Sequence, residues 1–197
     1  MIKGAANAAL MFSDQLAKNA LLTRIDALPK QTLIYPQETK ASSFYYLHSG
    51  LVGLYHMLES GKVCLVRIYH QGEFFGYRSL FGNSFYHCSS RVLKPASLTR
   101  ITPNEPQNFL NNQPELGSYL LSRLASELGD AEKRLASMAY DKTLQRVVHS
   151  IQFLHGQWPE YVWTWREIAE YAGCETETAI RISRVLKENG SLPDNIK

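Results

Sequence analysis

The residues best suited to chemistry in this 197-residue chain lie near its C-terminus. Glu177 and Arg181 are four apart, so any helix that carries them puts them on one face. An arginine can donate two hydrogen bonds to O6 and N7 of guanine. A glutamate can accept one from N4 of cytosine. Thr176, Ile180 and Arg184 belong to the same outward surface. The hydroxyls of Thr164 and Thr178, beside helix N-terminal amides, suit phosphate oxygens. The Glu177–Arg181 pair is equally read as a surface ion pair, which is common and weakly stabilising. A second group lies mid-chain. Phe75-Gly76-Tyr77-Arg78-Ser79 and His87-Cys88-Ser89 bring a guanidinium, hydroxyls, an imidazole and a thiol into neighbouring stretches. His87 and Cys88 are haem or metal ligand types. A polar histidine and a buried cysteine on a strand is the simpler reading, and no metal is assigned.

The elements that must carry these groups follow from hydrophobic period. Thr164 as N-cap and Glu167 three residues on form a capping-box signature. Gly173 stands where the chain leaves that helix, and a left-handed C-cap favours glycine. Two helices, about 164–171 and 175–189, then make a helix-turn-helix with Ile168, Ala172, Ile182, Val185 and Leu186 as its core. Upstream, 141–155 reads as an amphipathic helix with Val147, Val148, Ile151 and Leu154 on one side. Leu121, Leu124, Leu128, Ala131, Leu135 and Met138 alternate spacings of three and four, which is a heptad seam. That seam predicts a helix paired with its twin, or else a single helix facing a core.

Between about Thr32 and Pro103 the period is that of strands. Residues 33–35, 44–47, 51–55 and 63–69 are short β-branched and aromatic runs, separated by Ser49-Gly50, Ser60-Gly61, Gln71-Gly72 and Gly82-Asn83, as in a barrel or sandwich. Glu59-Ser60-Gly61-Lys62 is expected to turn a hairpin. Residues 13–28 read as a helix capped by Ser13, with Leu16, Ala20 and Leu21 on one face.

Composition narrows the function. The 45% hydrophobic and 20% charged residues are those of a globular protein. Cys64, Cys88 and Cys174 are odd in number and widely spaced, as expected of reduced thiols in a cytoplasmic protein. The apolar stretch Ala8–Phe12 is too short for a membrane span. No Gly-rich phosphate loop with lysine, His-Glu-x-x-His or nucleophile elbow is present, so no enzyme is expected. Net charge is +3, but residues 1–140 carry 14 basic against 10 acidic residues and residues 141–197 carry 7 against 8. A DNA-binding portion usually has a basic surplus for phosphates, and this one has none.

Taken in order, Phe44-Tyr45-Tyr46-Leu47-His48-Ser49-Gly50-Leu51-Val52, Gly72-Glu73-Phe74-Phe75-Gly76, Glu167-Ile168-Ala169, Gly173-Cys174 and Glu177-Thr178-x-x-Arg181 resemble the Crp–Fnr family of bacterial regulators over about residues 30–189. The resemblance implies an α+β fold with three parts. Residues 1–104 are expected to form an N-terminal helix and an antiparallel, jelly-roll-like effector β-roll. Residues 105–140 are the long dimerisation helix, and 141–197 the helix-turn-helix domain. The resemblance also implies a homodimer that binds palindromic double-stranded DNA, with RNA polymerase as a further partner. Glu177 and Arg181 would read a half-site, while Thr164 and Thr178 would hold phosphates. Thr176 stands where cAMP-binding members carry arginine.

Cyclic AMP is a poor fit to the expected effector site. Where those members have an acid, this chain has Tyr77. His87 and Cys88 replace the Arg-Ser that grips the cyclic phosphate, and a neutral imidazole and a thiol are weak substitutes for it. Ala131 and Glu132 stand near the position of the adenine-binding pair. An unidentified small-molecule effector is therefore expected, with Arg78 available for a phosphate. The seven residues from Ser191 to Lys197 are too few for the hairpin wing that usually follows the reading helix. The alternative is a ligand-binding or interaction module that has lost sequence-specific DNA binding.

Overall fold

In the computed structural model, residues 16–188 are described, and they divide into two compact units. The first comprises residues up to Gly61 and Val66–Glu127. The second comprises Lys62–Leu65 and the chain from Leu128 onward.

The first unit is an antiparallel roll. Its strands are β1 (Ala20–Leu28), β2 (Leu33–Tyr35), β3 (Phe44–Met57), β4 (Val63–His70, of which residues from Val66 on belong to this unit), β5 (Phe74–Phe75) and β6 (Ser89–Pro103), with a one-turn helix α1 (Tyr77–Leu80) after β5. The path through the sheet is β1-β6-β3-β4, with β2 on β6 and β5 on β3. Phe44, Leu47, Val52, Val92 and Leu98 of β3 and β6 are fully buried in a core from which water is excluded. Phe74, Phe75, Tyr35, Tyr45 and Tyr86 join it as a layer of packed rings, Tyr35 and Tyr86 stacking at 3.8 Å.

Two expectations fail here. Within the described part of the expected helix over 13–28, residues 16–19 are helical and β1 takes up residues 20–28; Ser13, Asp14 and Gln15 lie outside the described residues. The reason is tertiary. β6 presents a long edge, and Ala20–Leu28 pairs with it from Ala20 opposite Pro103 to Leu28 opposite Ala96. That ladder overrides local helical spacing. Secondly, Ser49-Gly50 is not a turn between two strands. It is an irregularity inside the single 14-residue β3, where the register with β6 shifts on either side of Ser49. Gly50 has φ +91°, and a Cβ there would lie 2.3 Å from the Pro95 carbonyl oxygen. The extra residue bends both strands together. The β3–β4 hairpin is found where expected, with Gly61 N–H donating to Leu58 O.

A short helix α2 (Pro106–Phe109) leads to α3 (Pro114–Tyr140), a 27-residue helix that runs from the first unit into the second. Its heptad residues do not act alike. Leu124 packs on the roll core, and Met138 lies against Gly173. Leu121, Leu128 and Leu135 are exposed at 67%, 58% and 70%, and Ala131 is exposed as well.

The second unit adds α4 (Thr143–Gln157), α5 (Trp165–Ala172) and α6 (Thr176–Glu188). Its core is Val147, Ile151, Leu154, Trp163, Ile168, Ala169, Ala172 and Ala179. Trp163 is fully buried and donates its indole N–H to Leu154 O at 3.2 Å. Val185, expected in this core, is 48% exposed; Ala179 and Ser183 form the inward face of α6 instead. Residues 191–197, expected to be too few for a wing, lie outside the described residues.

Gly50→Ala is expected to cost about 2 kcal/mol or more, because left-handed backbone and a backbone clash add. Gly129→Ala has nothing within 4 Å of the new methyl and removes a helical glycine, so it is expected to gain up to about 1 kcal/mol. Calorimetric unfolding of both variants checks the pair of opposite signs.

Candidate functional site

Two places gather the functional side chains, one in each unit. In the second unit, α5 begins with a complete capping box. Thr164 Oγ1 accepts from Glu167 N–H at 3.2 Å, while the Glu167 carboxylate accepts from Thr164 N–H at 2.9 Å. Tyr161 donates its hydroxyl to the other carboxylate oxygen at 2.7 Å, so the buried Glu167 is satisfied on both sides. Thr164 Oγ1 also donates to Glu167 Oε2 at 3.0 Å, and a phosphate contact by this hydroxyl would have to share it with the cap.

At the other end Gly173 takes the left-handed C-cap at φ +66°, and Cys174 N–H returns to Ala169 O. This turn fixes the direction of α6. With Ala179 and Ser183 facing in, Glu177, Arg181 and Arg184 are exposed together, and Thr176, Thr178 and Ile180 are half-buried beside them. Among the described residues no ion pair or hydrogen bond joins Glu177 to Arg181, so the surface pair is not formed here.

The C-terminal end of α5 has partners that sequence reasoning missed. Arg134, on α3, donates to Tyr171 O at 2.8 Å and to Leu65 O at 3.2 Å, and its guanidinium sits 4.2 Å over the Tyr171 ring. Arg146, on α4, donates to Asp141 O, Ala172 O and Gly173 O at 2.9, 3.1 and 3.4 Å.

In the first unit the roll holds a cluster of buried charge. Gly76, at φ +82°, precedes α1, which places Tyr77, Arg78 and Ser79. Arg78 is hydrogen-bonded to His87 Nε2, and the His87 Nδ1 to Ser79 Oγ separation is 3.0 Å. Burial and the Arg78 charge push the His87 pKa down. The ring is therefore neutral, accepting at Nε2 and donating from Nδ1 to Ser79. Glu73 is buried and paired with Arg123 of α3, and it also accepts from His70 N–H at 2.9 Å. Glu127, one turn further along α3, is 4% exposed. Arg67 Nε lies 3.7 Å from its Oε2, and Arg67 Nη2 donates to its backbone oxygen.

Glu127 Oε2 and the Tyr77 hydroxyl are buried without a hydrogen-bond partner. Burial pushes the Glu127 pKa up against the opposing pull of Arg67, Arg78 and Arg123. Burial and the Glu127 charge push Tyr77 up in the same way.

The other expected effector residues are distributed differently. Phe75 is fully buried in the aromatic layer and has no polar role. Cys88 is buried, with Sγ 3.8 Å from His56 Nδ1, and Ser89 accepts from Gln37 N–H at 2.9 Å. Among the described residues no three His, Cys, Asp or Glu side chains are grouped as a metal site. Ala131 and Glu132 are exposed and belong to the second unit. On α3, Arg123 and Glu127 are the residues that meet the buried charges of the roll. Their signal was an i,i+4 Arg–Glu pair on a long helix, hidden because such pairs are ordinarily solvated. Glu73, in the turn before β5, is the second buried acid of this cluster.

Residues 25–113 match the cyclic nucleotide-binding domain family. An uncharacterised protein of Haemophilus influenzae is 44% identical over 114 residues, 58% of this chain and 88% of its own length. The cAMP-activated global transcriptional regulator of Pasteurella multocida is 26% identical over 81% of this chain and 80% of its own. The chain belongs to the Crp–Fnr family. Its fold is that of the cyclic-di-GMP-responsive regulator CLP of Xanthomonas campestris, with a TM-score of 0.79, 21% identity and coverage of 92% and 93%. A CRP-family regulator of Thermus thermophilus aligns with a TM-score of 0.69 and 19% identity over 84% and 86%. This Crp–Fnr chain therefore sits among transcriptional regulators, a family without enzymatic activity. No helix among its described residues is long and apolar enough to cross a membrane.

The raised Glu127 pKa makes stability depend on pH with a definite sign. Protonated Glu127 favours folding, so its contribution is full below the ordinary value of 4.5 and is lost as pH rises through the higher folded value. Glu127→Gln, always neutral, should be more stable than the parent at pH 7, with the advantage vanishing near pH 4. Thermal melts across that range test it; an advantage independent of pH would contradict the assignment.

Proposed function

We propose that this Crp–Fnr protein is a cytoplasmic homodimer that binds palindromic DNA in a sequence-specific way under control of a small anionic effector other than cyclic AMP. The observation that carries the reading is the face of α6. A helix that follows the Gly173 C-cap of α5 and packs through Ala179 and Ser183 presents Glu177, Arg181 and Arg184 to solvent with no mutual ion pair. A glutamate and arginine four apart, both open, match the edges of a C·G step in the major groove. Thr176, Thr178, Ile180 and Thr164 lie where base-flanking and phosphate contacts are expected.

Dimerisation rests on Leu121, Leu128 and Leu135. Three leucines one heptad apart, each more than half exposed, form a stripe that water disfavours and a twin helix would cover. The chain then works as an effector roll over 1–104, a dimer helix over 105–140 and a reading head over 141–197.

The effector reading rests on the roll cluster. Arg67, Arg78 and Arg123 favour an anion. The unpartnered Tyr77 hydroxyl and Glu127 carboxylate favour a ligand that brings hydrogen-bond donors of its own. Cyclic di-GMP, to which the Xanthomonas regulator responds, is one such anion to try. The acidic excess in residues 141–197 favours a second reading, an effector-binding module without sequence-specific DNA contact.

Sequence selection followed by gel shift separates them. A palindromic site should emerge, and Arg181→Ala should weaken it by about 1–3 kcal/mol, roughly ten- to a hundredfold. Binding that is sequence-blind and indifferent to Arg181→Ala would leave the second reading standing.

A further inference from the structure

An α-helix leaves its last carbonyl groups without intrahelical partners, and those groups carry the negative end of the helix dipole. In α5 they are met by cations from two other helices. Ala169 O is taken by Cys174 N–H, Tyr171 O by Arg134, and Ala172 O and Gly173 O by Arg146. Arg146 also holds Asp141 O, the junction between α3 and α4, so one guanidinium joins the end of the long helix to the turn before the reading helix. Met138 of α3 closes the arrangement. Its methyl and sulfur would lie 2.9 Å from any Cβ placed on Gly173.

We propose that Arg134 and Arg146 are positioning residues that set the spacing between half-sites in the DNA target, by pinning the α5–α6 turn to the long helix. The proposal rests on the DNA-binding reading above. If α3 pairs with its twin about a two-fold axis, whatever is fixed to α3 is fixed relative to that axis. The separation of the two α6 helices then follows from the clamp, and half-site spacing is the quantity that separation must match. Neither arginine belongs to the exposed Glu177–Arg181–Arg184 face. Placement of the reading helix and recognition of bases are therefore carried by different side chains. Arginine is needed because its planar fork can serve a carbonyl while its face covers the Tyr171 ring, which a lysine ammonium cannot do with the same geometry.

The experiment uses the full chain and three DNA probes: the selected palindrome, the same palindrome with one base pair inserted at its centre, and a single half-site. The wild-type protein should prefer the palindrome over the expanded probe by about tenfold or more. Arg134→Gln and Arg146→Gln should each reduce that preference to about twofold, as loss of charge-assisted hydrogen bonds would allow. Their half-site affinity, and its sensitivity to Arg181→Ala, should stay at the wild-type level. If either glutamine variant fails to give a cooperative melt, the corresponding Arg→Lys variant is measured in its place, with the same loss expected. The proposal is overturned if spacing preference survives in the variants. It is equally overturned if half-site and palindrome affinities fall together, because that pattern means a disturbed reading helix. Wild-type protein that selects no sequence would instead remove the DNA-binding reading itself.

Discussion

An eight-residue helix has about as many orphan backbone groups at its ends as it can pair inside, and the reading head is organised around meeting those needs in α5. At the N-terminus the solution is local, since Thr164 and Glu167 are three residues apart and satisfy each other's amides. Tyr161 then completes the Glu167 carboxylate, which allows it to be buried at little cost. At the C-terminus the solution is tertiary. Cations from α3 and α4 reach carbonyls they are far from in sequence. Once both ends are fixed, the left-handed Gly173 can aim α6 in one direction only, and the exposed Glu177–Arg181–Arg184 face follows from that direction.

The roll is governed by the opposite problem, charge that is buried rather than backbone that is exposed. Removing ions from water is expensive unless each meets a partner. Glu73 meets Arg123 and the His70 amide, and Arg78 meets a neutral His87. Glu127 is only partly met, and its raised pKa and unpartnered oxygen express the remaining cost. Structural residues are rarely left in that condition, whereas ligand sites often are. The cluster's position against α3 gives it physical consequence, because Arg123 and Glu127 belong to the same helix that carries the exposed leucine stripe.

Much of this was legible from residue order. The capping box, the αL glycine, the i,i+4 pair on α6, the hairpin at Gly61 and the heptad spacing of α3 are all local rules, operating within about two turns or one loop. The failures share a different cause. Residues 20–28 have helical spacing yet form β1, because β6 offered an edge. Ser49-Gly50 has the composition of a turn yet sits inside a strand, because Pro95 and Ala96 lie across from it. The resemblance points to Ala131 and Glu132, which are exposed, while the α3 residues that meet the buried charges of the roll are Arg123 and Glu127.

The sequence by itself determined a strand-rich stretch followed by helices, the two ends of α5, the outward placement of Glu177, Arg181 and Arg184 on α6, and the family resemblance. Each of these depends on neighbours a few residues away, whose distance the covalent chain already limits. Tertiary structure alone decided which strand residues 20–28 would join, which α3 side chains reach the roll, that Leu124 and Met138 turn inward while Leu121, Leu128 and Leu135 remain open, and that Arg134 and Arg146 close the reading turn. Those choices join groups tens of residues apart, and no local preference distinguishes an arginine that will find a carbonyl from one that will stay in water.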